Sequence, residues 1–88
     1  MNKIIRKFYV DGRVEECVDE RMTLEQMQFF VGGSIEYVPT KNSKQALVVN
    51  EEGTFDNLPQ NQAATMIVRP GVLMVDGYIR GNALLIWA

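Results

Sequence analysis

The sequence contains no histidine and, in 88 residues, a single cysteine. Histidine is the commonest general base and the commonest transition-metal ligand, so its absence excludes most hydrolase mechanisms and most metal centres. The lone thiol of Cys17 cannot form an intramolecular disulfide or a cysteine zinc site, which favours a reducing, cytoplasmic location. We expect a protein that is not an enzyme and that has no cofactor and no metal, with Cys17 as a buried structural residue.

The sequence also lacks a large excess of one charge and long apolar runs. Nine basic residues against eleven acidic ones give a net charge of -2, far from the basic excess with which nucleic-acid binders displace counterions. No segment approaches the roughly 20 apolar residues of a membrane span, and the apolar run near the N-terminus is too short for a signal peptide. We therefore expect neither general nucleic-acid binding nor association with a membrane.

What the sequence does have is an ordinary globular composition, with 47% hydrophobic and 23% charged residues, as in typical soluble domains. A chain of this length supports one hydrophobic core. The sequence therefore predicts a single domain over residues 1–88, with an N-terminal hairpin in residues 1–19.

The segment "KIIRKFYVDGRVEECVD" has the pattern of that hairpin. β-branched and aromatic residues lead to Asp11-Gly12, a pair that favours a two-residue type I′ turn. The pattern predicts strands over 3–10 and 13–18. In this register Lys7 faces Glu16 and forms an ion pair with it.

The segment "MTLEQMQFFVGG" has the clearest helical signals. Thr23 is suited to cap the helix, and Gln26 supplies the other half of a capping box. Gly32-Gly33 follows the last apolar residue of the pattern, and glycine adopts the left-handed backbone conformation of a helix end at the lowest energetic cost. The rules predict a short helix over 24–31.

Further strands and a second helix follow. "SIEYVPT" and "QALVVN" predict a pair of strands, and Asn61 is suited to cap a short helix in "NQAATMIV". The tail reads as a last hairpin with its turn near Gly81-Asn82, or alternatively at Asp76-Gly77. Its final "ALLIWA" is apolar almost throughout, which predicts a central or doubly covered strand.

Together these elements predict an α+β domain, with a small, mostly antiparallel or mixed sheet of about five to six strands and two short helices on one face. That arrangement would leave the other sheet face free. An exposed apolar face of this kind would favour a homodimer or a docking surface. The aromatic residues are expected in the core or on the sheet, with a stacking platform for a base as the alternative.

Acidic side chains cluster in "DGRVEECVDERMTLE". A solvated acidic edge is the favoured interpretation, a partner-docking patch is the alternative, and a metal site ranks below both.

A second polar stretch, "VVNEEGTFDNLPQNQAAT", is rich in turn and cap residues. A self-capped connecting loop explains this composition, and a loop that binds a polar or anionic ligand is the alternative. Arg69 and Arg80 lie farther along, where they could clamp a phosphate or carboxylate unless they are simply solvated. The candidate ligand- or partner-binding residues are therefore Asn50, Glu51, Asn57, Gln60, Asn61, Thr65, Arg69 and Arg80.

The segments "LEQMQFFVGGSIEYV", "LVVNEEG", "LPQNQAAT" and "IRGNALLIW" resemble, in order and spacing, a family of small bacterial and phage proteins classed as a domain of unknown function. The most specific signatures are N-E-E-G and L-P-x-N-x-x-A-T, and the family-like region extends over residues 20–88, beyond the hairpin. The resemblance implies a phage or mobile-element origin and a cytoplasmic accessory role, in the host cell if the protein is phage-encoded. It implies no catalytic residues.

Two functions follow from these observations. The leading hypothesis is a non-enzymatic phage or mobile-element accessory protein that binds a host factor, in its sharpest form an inhibitor of a bacterial defence system. The alternative is a protein that sequesters a small polar ligand such as a nucleotide signal, for which an oligomer would help to enclose a cavity.

Overall fold

The structure, a computed structural model, describes residues 1–72 and 76–88. Five strands form one antiparallel sheet in the order β2-β1-β5-β4-β3, and two helices complete the predicted α+β class. The strands are β1 (Asn2–Phe8), β2 (Val14–Met22), β3 (Ile35–Pro39), β4 (Gln45–Asn50) and β5 (Ala83–Trp87), and the helices are α1 (Leu24–Val31) and α2 (Gln62–Thr65). Within the described residues no helix is long and apolar enough to cross a membrane.

The N-terminal hairpin forms, but its predicted two-residue turn is wrong. The backbone N–H of Tyr9 donates to the carbonyl of Arg13, and of the turn residues only Gly12 has a positive φ. A type I′ turn needs positive φ at both central positions, whereas a three-residue loop closed by a left-handed glycine needs only one. The register therefore shifts by one residue, so that Lys7 lies opposite Glu15 instead of Glu16.

An irregularity between Ile4 and Arg6 of β1 decides which side chains face which side of the sheet. Ile4 pairs with Ile86 of β5, but Arg6 already pairs with Leu85. The extra residue in β1 is a β-bulge, and it reverses the alternation of side chains beyond it. On β2 the same irregularity coincides with Asp19, whose φ is +56°.

The two helices lie on opposite faces of the sheet, so the prediction that both share one face is wrong. Met27 and Val31 of α1 pack in a cluster with Val48 and Leu84. Ala64 of α2 packs on the other side, in a separate cluster with neighbouring residues of the same strands. The second cluster is completed by Phe8, Val38, Leu47, Val49, Val68, Ile79, Ala83 and Leu85. Each face of the sheet therefore carries a buried apolar cluster, and in the described part of the chain neither face is left entirely without a helix.

The helix α1 begins and ends as predicted. The Thr23 side chain accepts a hydrogen bond from Gln26 N–H, the Gln26 side chain accepts from Thr23 N–H, and Gly32 closes the helix with φ +86°. The two predicted strands after α1 also form, and Asn61 caps α2, which is only four residues long.

The last hairpin predicted with its turn at Gly81-Asn82 is wrong, because residues 76–80 form no strand. The alternative turn at Asp76-Gly77 depends on residues 73–75, which the structure does not describe. The strand β5 pairs with β1 and β4, so it is the central strand that its apolar sequence indicates. Residues 76–82 contain bends and one isolated bridge, Gln60 with Arg80, and no strand. The remaining part of the predicted sixth strand, residues 73–75, lies outside the described residues.

Candidate functional site

Asn50, a candidate from the sequence, joins the end of β4 to the end of α1. Its side-chain amide donates to the carbonyl of Val31 at 3.1 Å, and its side-chain oxygen accepts from the Glu52 N–H at 2.7 Å. The residue is buried, so these bonds give it a structural role. The neighbouring Glu51 is exposed, and binding by its carboxylate stays a prediction.

Asn61 is the most fully bonded of the candidates and is only 2% exposed. Its side-chain amide donates to the carbonyls of Phe8 at 3.1 Å and Gly81 at 2.9 Å, while its oxygen accepts from Ala64 N–H at 3.2 Å. One side chain thus links β1, the segment before β5 and the first turn of α2. All three hydrogen-bonding groups of the amide are used within the fold.

Thr65 and Arg80 also fix the segment before β5, residues 76–82, through hydrogen bonds. The Thr65 hydroxyl accepts from Ile79 N–H at 2.9 Å. Arg80 is paired with the Asp76 carboxylate at 2.7 Å and donates to the Leu58 carbonyl at 2.9 Å. The hydrogen bond from Arg80 lowers the pKa of Asp76.

The other candidates are more exposed. Arg69 donates from Nε to the Thr40 carbonyl at 3.3 Å. Asn57 has φ +53°, so it serves as a left-handed turn residue, and Gln60 is exposed. Since Arg69 and Arg80 bond to different parts of the chain, a clamp formed by both stays a prediction.

The acidic stretch of β2 contains one compact cluster. Ligand atoms of Glu15, Cys17 and Glu20 lie within 4.8 Å of one another. The Lys7 ammonium group already lies among them, 2.7 Å from Glu20 and 3.4 Å from Glu15. Because this side chain supplies the positive charge that the carboxylates attract, the cluster is better described as an internal ion pair than as a metal site.

The electrostatics of this cluster oppose catalysis by the thiol. Burial raises the pKa of Cys17, and the charge of Glu20 raises it further. The hydrogen bond to Glu20 likewise raises the pKa of Lys7. Cys17 is therefore a protonated thiol at neutral pH and a weak nucleophile. It is half-buried instead of fully buried as the sequence suggested.

A separate feature, which we call the α1 groove, lies between α1 and the N-terminal hairpin. It is an open groove of about 800 Å³. Its lining includes the apolar side chains of Met22, Phe29 and Phe30 and the ring of Tyr9, together with the charged side chains of Glu20, Arg21 and Glu25.

The inner wall of the α1 groove is held in place by aromatic contacts. The rings of Tyr9 and Phe30 meet edge to face, with 5.3 Å between their centroids. The Arg13 guanidinium also packs over the Tyr9 ring, 4.1 Å from the ring centroid. The Asn82 side chain accepts from Val10 N–H at 3.0 Å and fixes the adjacent turn. These contacts fix the rings in the free protein. The rings therefore lose little further conformational freedom when a partner binds.

Phe29 projects from α1 beside this wall and is 91% exposed. The expectation that the aromatic residues lie in the core or on the sheet is wrong for Phe29 and for Tyr78, which is exposed outside the strands. Tyr37 and Trp87 do lie on the sheet, in β3 and β5, and are also exposed.

The sequence contained a signal that would have identified the groove side of α1. Phe29 lies four residues after Glu25 and three after Gln26, which places these groove residues on one side of the helix, distinct from the side that buries Met27.

The chain belongs to the family described as Domain of unknown function (DUF3846), whose model matches residues 5–88. The match includes nearly all of the N-terminal hairpin as well as the region whose motifs suggested a family from the sequence. No curated protein and no solved structure matches the chain.

Proposed function

We propose that this protein is a non-enzymatic accessory protein that binds a host protein through the α1 groove. The observation that carries the proposal is Phe29, a phenylalanine 91% exposed beside a preorganised aromatic wall. An exposed large apolar residue is unfavourable in water, and a cluster of such residues on a small domain is typical of an interaction surface.

The energetics of binding support a role for Phe29 as an anchor. Transfer of a phenylalanine side chain from water to a buried site contributes about 1.5 to 3 kcal/mol. The rings of Tyr9 and Phe30 would add contact area at small entropic cost because they are already fixed. Glu25, on the rim, forms no ion pair within the described residues, so it favours a partner with a basic side chain beside its apolar one.

The non-enzymatic part of the proposal rests on the available chemistry. The sequence offers no histidine, and the one thiol has a raised pKa. The carboxylates of Glu15 and Glu20, which lie close together, are both engaged by the Lys7 ammonium group. Each of these features opposes general base or nucleophilic catalysis.

The biological context we propose is a phage or mobile element, with action in the cytoplasm of the host cell. The sharpest form of the proposal is inhibition of a bacterial defence system, since occupation of a partner's functional surface requires a binding face and no catalytic group. A second copy of the chain is the competing occupant of the α1 groove and would make the protein a homodimer.

The test uses Phe29→Ser with Phe55→Ser as its matched control. Phe55 is 84% exposed and does not line the α1 groove, so both substitutions remove the same exposed side chain. Native mass spectrometry of the tagged protein recovered from phage-infected bacteria reads the bound host protein and the subunit number together.

We expect a stoichiometric host protein with the wild type and with Phe55→Ser, and its loss with Phe29→Ser. A complex that survives in Phe29→Ser would show that the groove is not the binding surface. A purified dimer that Phe29→Ser converts to a monomer would assign the groove to self-association instead. If every variant is recovered without a host protein, the binding proposal is wrong.

A further inference from the structure

A second concave site lies on the opposite side of the sheet from the α1 groove. It is a small cavity of about 140 Å³, and Ile67 and Leu85 form its apolar lining. Its polar lining consists of Arg6 from β1 and of Thr40, Lys41, Asn42 and Gln45 from the β3–β4 connection and the start of β4. We refer to it as the basic cavity. Its lining carries two positive charges and no carboxylate.

The charged groups of the basic cavity keep free hydrogen-bond donors. The Arg6 side chain is two-thirds buried, at 33% exposure, and its Nε is paired with Glu16. That contact leaves the two terminal nitrogens of the guanidinium for another acceptor. The side chain of Lys41 forms no ion pair in the described part of the chain. An arginine fork beside a lysine ammonium is well suited to a phosphate group.

The connection that carries Lys41 is held in one conformation by buried Thr40, which is 1% exposed. The Thr40 hydroxyl lies 2.8 Å from the carbonyl oxygen of Asn42 and 3.0 Å from that of Gln45, and it accepts from Asn42 N–H. The backbone N–H of Lys41 donates to the carbonyl of Ile67 at 3.0 Å. The backbone that positions the ammonium group is thus fixed before any ligand binds, which reduces the cost of binding.

A third cation lies close to the basic cavity. The Arg69 side chain donates from Nε to the carbonyl of Thr40 at 3.3 Å. Since Thr40 lines the cavity, the Arg69 guanidinium adds to the positive potential there without being part of the lining. The sequence indicated Arg69 as a candidate for binding an anion together with Arg80. The structure instead places Arg6 and Lys41 in the lining of the cavity that Arg69 adjoins through Thr40.

An exposed aromatic ring stands next to the basic cavity. Trp87 of β5 is directly opposite Gln45 of β4 in the antiparallel ladder, so the two side chains lie on the same face with about 5 Å between their Cβ atoms. Gln45 lines the cavity, and Trp87 is 46% exposed. A planar ring attached to a bound phosphate could therefore stack on the indole.

From this arrangement we infer that the basic cavity and Trp87 form a binding site for a small molecule that combines a phosphate monoester with a planar ring, as a nucleoside monophosphate does. In this proposal the phosphate group occupies the cavity of about 140 Å³ and the ring lies outside it on Trp87. Arg6 and Lys41 hold the phosphate. This site is independent of the α1 groove, because it lies on the other face of the sheet.

The single tryptophan of the chain makes the test direct, since intrinsic indole fluorescence reports only Trp87. The wild type is titrated with the monophosphates of adenosine, guanosine, cytidine and uridine, and with adenosine and inorganic phosphate as comparison ligands. Lys41→Gln removes one charge from the site. Arg21→Gln makes the same change of charge in the α1 groove and is the matched control.

We expect saturable quenching by at least one monophosphate, with affinity about tenfold weaker in Lys41→Gln, because a charged hydrogen bond is lost, and unchanged in Arg21→Gln. Adenosine should bind more weakly than its monophosphate. The inference is overturned if none of the four monophosphates gives saturable quenching at millimolar concentration. It is equally overturned if adenosine binds as well as its monophosphate, or if both substitutions weaken binding to the same extent.

Discussion

Replacement of Asn61 by alanine tests whether the polar stretch before α2 is part of the framework. The substitution removes three hydrogen bonds at a residue that is 2% exposed. It leaves the carbonyls of Phe8 and Gly81 and the N–H of Ala64 without their partner. The small alanine side chain cannot replace any of these bonds, and the neighbouring backbone segments come from three separate parts of the chain.

The magnitude follows from the number of bonds. A typical hydrogen bond contributes about 1 kcal/mol net, and a buried group left unpaired costs about 1 to 3 kcal/mol, so Asn61→Ala should lower the free energy of unfolding by roughly 3 to 5 kcal/mol. Loss of the helix cap is included in this figure through the bond to Ala64. A domain of this size has a total free energy of unfolding of about 4 to 13 kcal/mol.

Urea unfolding followed by circular dichroism at neutral pH measures the effect. Gln60→Ala is the control, since the side chain of Gln60 is exposed and its loss should change stability by less than about 0.5 kcal/mol. Asn61→Asp keeps an acceptor for Ala64 but replaces the amide donors with a carboxylate against two carbonyls, so it should be at least as destabilising. A loss below about 1 kcal/mol in Asn61→Ala, or wild-type stability in Asn61→Asp, would refute the reasoning.

Three further predictions concern the framework. Gly53→Ala should lower the melting temperature and cost about 1 to 3 kcal/mol, because the added Cβ would lie 3.0 Å from the carbonyl oxygen of Arg80. Thr23→Ala should cost about 1 kcal/mol in urea unfolding through loss of the capping box. Asp76→Asn should reduce the loss of stability on acidification. The pKa of Asp76 is lowered in the folded state, so the ionised carboxylate stabilises the fold at any pH above its unfolded-state pKa of about 3.9. This stabilisation disappears as the pH falls through the folded-state pKa.

Each of these predictions has an outcome that contradicts it. An unchanged melting temperature in Gly53→Ala would mean that the backbone near Arg80 shifts at little cost in free energy. For the helix cap, Thr23→Ser retains the hydroxyl and should keep most of the stability that Thr23→Ala loses; equal losses in the two variants would contradict the role of the capping box. If urea midpoints measured between about pH 2 and pH 5 have the same pH dependence in Asp76→Asn as in the wild type, the ion pair with Arg80 does not contribute.

Local signals in the sequence were sufficient where the interacting groups are close along the chain. The capping box of α1 joins Thr23 and Gln26, and Gly32 ends the same helix, all within ten residues. The central position of β5 followed from an apolar run, because a strand covered on both faces has little need of polar residues. The same kind of local pattern identified the cap at Asn61 but not the distant carbonyls to which its amide donates.

Only part of the candidate sites could be found from sequence, because the remainder depends on contacts between distant segments. Arg69 was identified as a possible anion ligand, whereas its companions Arg6 and Lys41 come from parts of the chain far from it in sequence. The exposure of Phe29 was not expected. Its spacing places it on a different side of α1 from Met27, but local spacing does not show which apolar side of a helix the sheet covers.

The sequence by itself determined the class of the fold, the limits of α1 and the approximate location of the five strands, because propensities, caps and alternation act over a few residues; the extension of β2 to Met22 was not predicted. The tertiary structure alone decided which face each element covers. A β-bulge at Ile4–Arg6 reverses the alternation of β1. The helices α1 and α2 lie on opposite faces of the sheet because β4 and β5 present apolar side chains to both faces. Those placements set the α1 groove on one face and the basic cavity beside Trp87 on the other.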